Sequence, residues 1–241
     1  MRWSTACLRL VSLGAAAGIA LAARGAAGAT FALNQGADTS PYSFLPTLVR
    51  GSEATLYAFT DPQGVHDFET YISFALPPDL LGPGEEVRDA LLVVTYAFDF
   101  SGFGDFANAT GELDCREVLE PWSEASLTWI NRPDYGAPVD TVVGITALGP
   151  IVCDVTSTVA AWATGVRPNY GFALTNPTAR LLGFYSFEAP VDASLQPGLV
   201  IDTGPVPEPG RGAEGLALGV LAGVWRARRT RGADGEKRGG R

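Results

Sequence analysis

Histidine is nearly absent from this 241-residue chain, where His66 stands alone. Triad-type nucleophilic catalysis needs a base beside a serine or cysteine. His66 lies in a polar turn, Gly64 to Asp67, without a nucleophile motif around it, so it reads as a surface residue. Cysteine is also scarce, at three residues, and one His with so few Cys cannot furnish a zinc set. Between residues 30 and 210 lysine is missing: six arginines face 23 acidic side chains, a formal charge of -17 that the whole-chain value of -9 conceals. Such a surface repels phosphate backbones, which excludes nucleic-acid binding. The acids are no argument for glycoside hydrolysis either, because among 23 carboxylates some pair falls at a suitable separation by accident. No catalytic constellation is recognisable, and no enzymatic activity is expected.

The two ends differ in character from the middle. Met1 to Ala29 reads as a secretory signal, with Arg2 and Arg9 at its positive end and an apolar run from Leu10 to Ala23 that is short for a membrane span. Ala27-Gly28-Ala29 supplies small residues for a signal peptidase, so cleavage is expected between Ala29 and Thr30. Cys7 leaves with that segment. The remaining pair, Cys115 and Cys153, lies in two β-like runs, and in an oxidising compartment the two are predicted to form a disulfide. Closing a loop of roughly 40 residues contributes on the order of 4 kcal/mol in the chain-entropy picture.

Between the ends, short runs of β-prone residues alternate with Gly, Pro, Asn and Asp, the pattern of an all-β sandwich or barrel. The predicted strands are 55–59, 71–75, 90–98, 113–119, 127–130, 142–146, 151–153, 170–174, 182–187 and 199–202. One helix is predicted near residues 156–164. Asp154 and Thr156 place short acceptors at its start, Val155, Val159 and Trp162 form one apolar stripe, and Gly165 followed by Pro168 ends it.

Trp122-Ser123-Glu124, Leu127-Thr128-Trp129, Asn131 to Pro133, Asp154-Val155-Thr156, Trp162, Gly165, Asn169-Tyr170-Gly171 and Tyr185 to Glu188 stand in the order and spacing of the DNRLRE domain family. The chain resembles that family over roughly residues 30 to 204. The resemblance implies a jelly-roll β-sandwich related to carbohydrate-binding modules of secreted microbial proteins. It assigns Trp122, Glu124, Trp129, Asp154, Thr156, Trp162, Gly165, Asn169 and Gly171 to a structural signature, with all three tryptophans expected inside. Platforms for a sugar are then sought off that pattern, at Tyr42, Phe103, Phe106 and Tyr135, because flat amphipathic rings offer an apolar face to a sugar ring.

Asp61, Asp67 and Glu69 gather in one loop and are candidate ligands for a structural Ca2+, a cation that prefers oxygen-rich loops. Asp99 and Asp105 flank a Gly-rich stretch that offers a second candidate. At the other end, Pro207-Glu208-Pro209, the apolar segment Leu216 to Trp225 and the cluster Arg226, Arg228, Arg229 and Arg231 resemble a PEP-CTERM sorting signal of Gram-negative bacteria. That resemblance implies processing by an exosortase-type enzyme and transient contact with the inner membrane, the basic cluster staying cytoplasmic. The expected protein is a secreted, non-catalytic module binding a cell-surface or matrix polysaccharide. The alternative is a structural or adhesive envelope protein that recognises no particular glycan.

Overall fold

The computed structural model describes residues 28–99 and 110–207. The chain divides into two compact units after Val206, and the described residues lie almost wholly in the first. Among the described residues, eleven strands and one helix follow in order: β1 (Thr30–Leu33), β2 (Gly36–Thr39), β3 (Thr55–Ala58), β4 (Thr70–Phe74), β5 (Glu85–Asp99), β6 (Gly111–Val118), β7 (Tyr135–Ile145), β8 (Gly149–Asp154), α1 (Thr156–Ala163), β9 (Phe172–Thr175), β10 (Leu182–Tyr185) and β11 (Gly198–Pro205). All pairings are antiparallel.

The long strand β5 organises the first sheet. Leu91, Leu92 and Val93 each have partners on both β8 and β11, and Tyr96 has partners on both β8 and β10. A strand has only two edges, so β8 occupies one while β11 and β10 follow each other along the second. Strand β1 then pairs with β11, and β3 with β10. The second sheet runs β2-β4-β9-β6-β7. This is the double Greek key of a jelly roll, the all-β sandwich expected from the punctuated sequence.

The inner faces are apolar because the alternation says so. Ala90, Leu92, Val94 and Tyr96 of β5 face Ile72 and Phe74 of β4, Leu113 and Cys115 of β6, and Phe172 and Leu174 of β9, all buried in one core. A disulfide joins Cys115 of β6 to Cys153 of β8, with Cα atoms 6.5 Å apart, and so ties the two sheets across that core.

Helix α1 closes one end of the sandwich. Val155, Val159 and Trp162 are buried as the stripe predicts, and Trp162 Nε1 donates to Glu117 Oε1 at 2.8 Å. Asp154 Oδ1 accepts the Thr156 amide at 3.0 Å and so holds the first turn, while Thr156 Oγ1 accepts the Ala90 amide at 2.9 Å and docks the helix start onto β5. Gly165, at φ +70°, ends it: its own amide bonds the Trp162 carbonyl and the Val166 amide bonds the Ala161 carbonyl, a Schellman arrangement.

Strands β1 and β2 add to the predicted set, and residues 127–130, expected as a strand, form a turn. Asn131 explains the turn: its Oδ1 accepts the Thr128 amide at 2.7 Å and hydroxyl at 2.8 Å, and its Nδ2 donates to the Ser126 carbonyl at 3.0 Å. A side chain that supplies three local bonds outcompetes ladder pairing.

Candidate functional site: a cleft on the outer face of the five-stranded sheet

The connection from Leu119 to Asp134 folds back over the outer face of its own sheet. Tyr71, Val118, Ala173 and Leu127 form a second, smaller apolar cluster there, with Trp122 packed against it and donating through Nε1 to the Tyr170 carbonyl at 2.8 Å. Gly171, at φ +87°, lets the chain pass where a Cβ would lie 2.2 Å from the Ile72 carbonyl oxygen. Asn169 fixes that passage by accepting the Gly171 amide at 3.0 Å and donating to the Phe74 carbonyl at 2.8 Å.

Beside this cluster opens a cleft of about 440 Å³. Asp114 and Arg116 of β6 alternate with the inward Cys115 and, with Thr175 of β9, supply outward side chains that line it. Phe68, Glu69, Trp129, Arg132 and Tyr135 line it as well. Each polar group is held. Arg116 pairs with Asp114 at 2.6 Å, donates to Thr175 Oγ1 at 3.0 Å and to the Gly136 carbonyl at 3.2 Å, and lies 5.4 Å from the Tyr135 ring centroid. Arg132 donates from Nη1 to the Trp129 carbonyl at 2.7 Å, with its guanidinium carbon 3.8 Å from that indole's centroid.

Glu69 is the hub. Its Oε2 accepts from Tyr71 at 2.8 Å and Arg132 at 3.0 Å, and its Oε1 accepts from Tyr135 at 3.0 Å. Burial, then the Glu69 charge, push the Tyr135 phenol up to about 12 and the Tyr71 phenol further still, so both remain neutral donors at physiological pH. The result is a fixed array of aromatic faces, guanidinium donors and carboxylate acceptors, a chemistry suited to the apolar faces and hydroxyls of sugars.

The structure places the expected site residues unevenly. Tyr135 lines the cleft. Trp162 is in the core and Trp122 against the smaller cluster, as expected, but Trp129 belongs to neither and lines the cleft instead. Tyr42 stacks on Phe68 with centroids 4.1 Å apart and rings 3° from parallel, at the edge of the same region. Phe103, Phe106, Asp105, Glu208 and Pro209 lie outside the described residues. Ala29 continues the β1–β11 ladder by one residue, exchanging backbone bonds with Thr203 at 3.2 and 2.8 Å.

The expected Ca2+ ligands do not converge. The Asp61 carboxylate accepts amides from Gln63, Val65 and His66, bonds that hold it below the usual carboxylate range. Asp67 Oδ1 accepts the Asp61 amide at 2.8 Å. Glu69 faces its phenols and Arg132. Sequence proximity put the three in one loop, but their side chains serve different partners. Arg116, Phe68 and the hub role of Glu69 were missed, because β6 and the turn after it meet the start of β4 only in three dimensions.

No curated protein matches the chain. The family model described as carbohydrate-binding module family 96 matches residues 46–203, which contain every cleft residue named above. The chain belongs to carbohydrate-binding module family 96.

Proposed function

We propose that the protein is a secreted, non-catalytic module that binds a cell-surface or matrix polysaccharide in the cleft over β6 and β9. The observation that carries this reading is the pairing of Trp129 and Tyr135 rings with Arg116 and Arg132 in one cleft. Two of the six arginines between residues 30 and 210 are concentrated there, on a surface otherwise dominated by acids. Both are ion-paired, so the cleft presents polar donors without a large net positive charge. A neutral glycan fits this better than a strongly acidic one. The Asp114 and Glu69 carboxylates of the cleft are engaged by Arg, Tyr and Thr side chains, and Asp67 accepts the Asp61 amide, which favours binding over proton transfer.

Secretion is supported by the leader-like first 29 residues, and delivery to the extracellular face or envelope of a Gram-negative bacterium by the Pro207-Glu208-Pro209 segment with its apolar and basic sequel. In this reading an exosortase-type enzyme processes the C-terminal segment after transient inner-membrane contact. The test is titration of the oxidised full-length protein against neutral and acidic polysaccharides at low and high salt. Saturable, weakly salt-dependent binding to a neutral glycan supports the proposal. No binding by a folded sample supports instead a structural role in the envelope.

A further inference from the structure

Away from the cleft, three acids from distant segments meet: Asp38 at the end of β2, Glu124 in the β6–β7 connection and Glu188 after β10. Oxygen atoms from all three carboxylates lie within 4.8 Å of one another. Oxygens bound to one Ca2+ at about 2.3–2.6 Å lie no more than roughly 5 Å apart, so this separation fits a shared ion.

The arrangement is built rather than incidental. Asp38 is 1% exposed, its Oδ2 accepts the Phe187 amide at 2.7 Å, and its own amide reaches Glu124 Oε1 at 3.3 Å. Its Oδ1 is buried and no donor reaches it. Gly51 backs onto Glu124 so closely that a Cβ there would meet Glu124 Cγ at 2.3 Å, which seats the carboxylate from behind. Glu188 is exposed and gives the group access to solvent. None of the three acids is in an ion pair among the described residues.

Three such carboxylates need a compensating positive charge. Two agents can supply it: a proton shared between Asp38 and Glu188, or a cation. A single proton neutralises only one of the three carboxylates, whereas a hard divalent ion engages all three and completes its shell with water through the Glu188 side.

We propose that Asp38, Glu124 and Glu188 form a Ca2+ site that fastens β2 to the β6–β7 and β10–β11 connections. Glu124 lies five residues before Trp129 in the same connection, so the ion anchors the base of the segment that carries the cleft indole.

The test is calorimetric titration of the chelator-treated full-length protein with CaCl2 alone, beside melting curves with and without the ion. The proposal expects one Ca2+ per chain with Kd at or below roughly 10⁻³ M, and a higher Tm with Ca2+ than with chelator. Glu188→Gln alters an exposed side chain and therefore keeps the fold. It and Glu124→Gln each weaken Ca2+ binding at least tenfold, whereas Asp61→Asn leaves it unchanged. Absence of saturation at roughly 10⁻² M Ca2+, or wild-type affinity in Glu188→Gln and Glu124→Gln, overturns the proposal and leaves the shared proton as the compensating charge.

Discussion

Arg132 places its guanidinium carbon 3.8 Å from the centroid of the Trp129 ring, and the same side chain donates to Glu69. An indole at the rim of a cleft is thus held by a group anchored to the strand beneath it. Fixing an aromatic ring before a ligand arrives lowers the ordering cost of binding. The cation–π contact is worth roughly 0.5–2 kcal/mol, depending on solvent exposure.

Asn131 extends that fixation to the backbone. Asn131→Ala removes its bonds to Ser126 and Thr128 from an exposed turn, so the expected loss of stability is modest, about 1 kcal/mol. Glycan affinity is expected to fall more than stability suggests, because Trp129 lies inside that turn. Parallel urea melts and binding titrations of the variant check this.

The Cys115–Cys153 bridge closes a sequence separation of 38 residues and spans the two sheets. Cys115→Ser with Cys153→Ser is expected to lower unfolding free energy by about 4 kcal/mol. Denaturant midpoints measured with and without reductant provide the check: reductant shifts the wild-type midpoint down and leaves the double variant where it is.

Gly171→Ala combines two penalties. At φ +87° any side chain is strained, and the new Cβ would lie 2.2 Å from a backbone oxygen of β4. A loss of at least about 2 kcal/mol is expected, since neither the strand nor the passage over it can give way cheaply. Thermal unfolding of the variant measures it.

Asp61 carries an acid-side pH dependence. Its carboxyl is held below the ordinary value of 3.8 mainly by the Gln63, Val65 and His66 amides. A folded value below the unfolded one gives stability that is present above about pH 4 and lost as pH falls through the folded value. The stability gap between wild type and Asp61→Asn is therefore expected to be full near neutrality and to close toward pH 2. Urea unfolding across that pH range tests the sign.

The sheet elements were legible where apolar alternation is long, as in Ala90, Leu92, Val94 and Tyr96, and the helix was legible from its stripe and its Gly165 stop. Strand β2 was not, because Gly36-Ala37-Asp38-Thr39 carries almost no β signal. It is recruited by pairing with β4, where Gly36 lets the backbones approach so that a Cβ would meet the Ser73 carbonyl oxygen at 1.9 Å. Residues 127–130 carried a strong β signal that the Asn131 side chain overrode. The site was harder to read for a related reason. Glu69 meets Arg132 and Tyr135 across 63 and 66 residues, and Asp38 meets Glu124 across 86, separations at which no local pattern reports proximity.

In the proposed function the cleft binds a glycan through its fixed aromatic and guanidinium groups. The most direct measurement is the affinity of full-length wild type and Trp129→Ala for the polysaccharide that wild type binds best, with the melting temperature of both. Saturable wild-type binding is expected, weakening at least tenfold in Trp129→Ala, while the variant still unfolds cooperatively with a melting temperature lowered by only the few degrees that loss of the cation–π contact with Arg132 accounts for. Equal affinity in the variant, or failure of folded wild type to bind any polysaccharide, would contradict it.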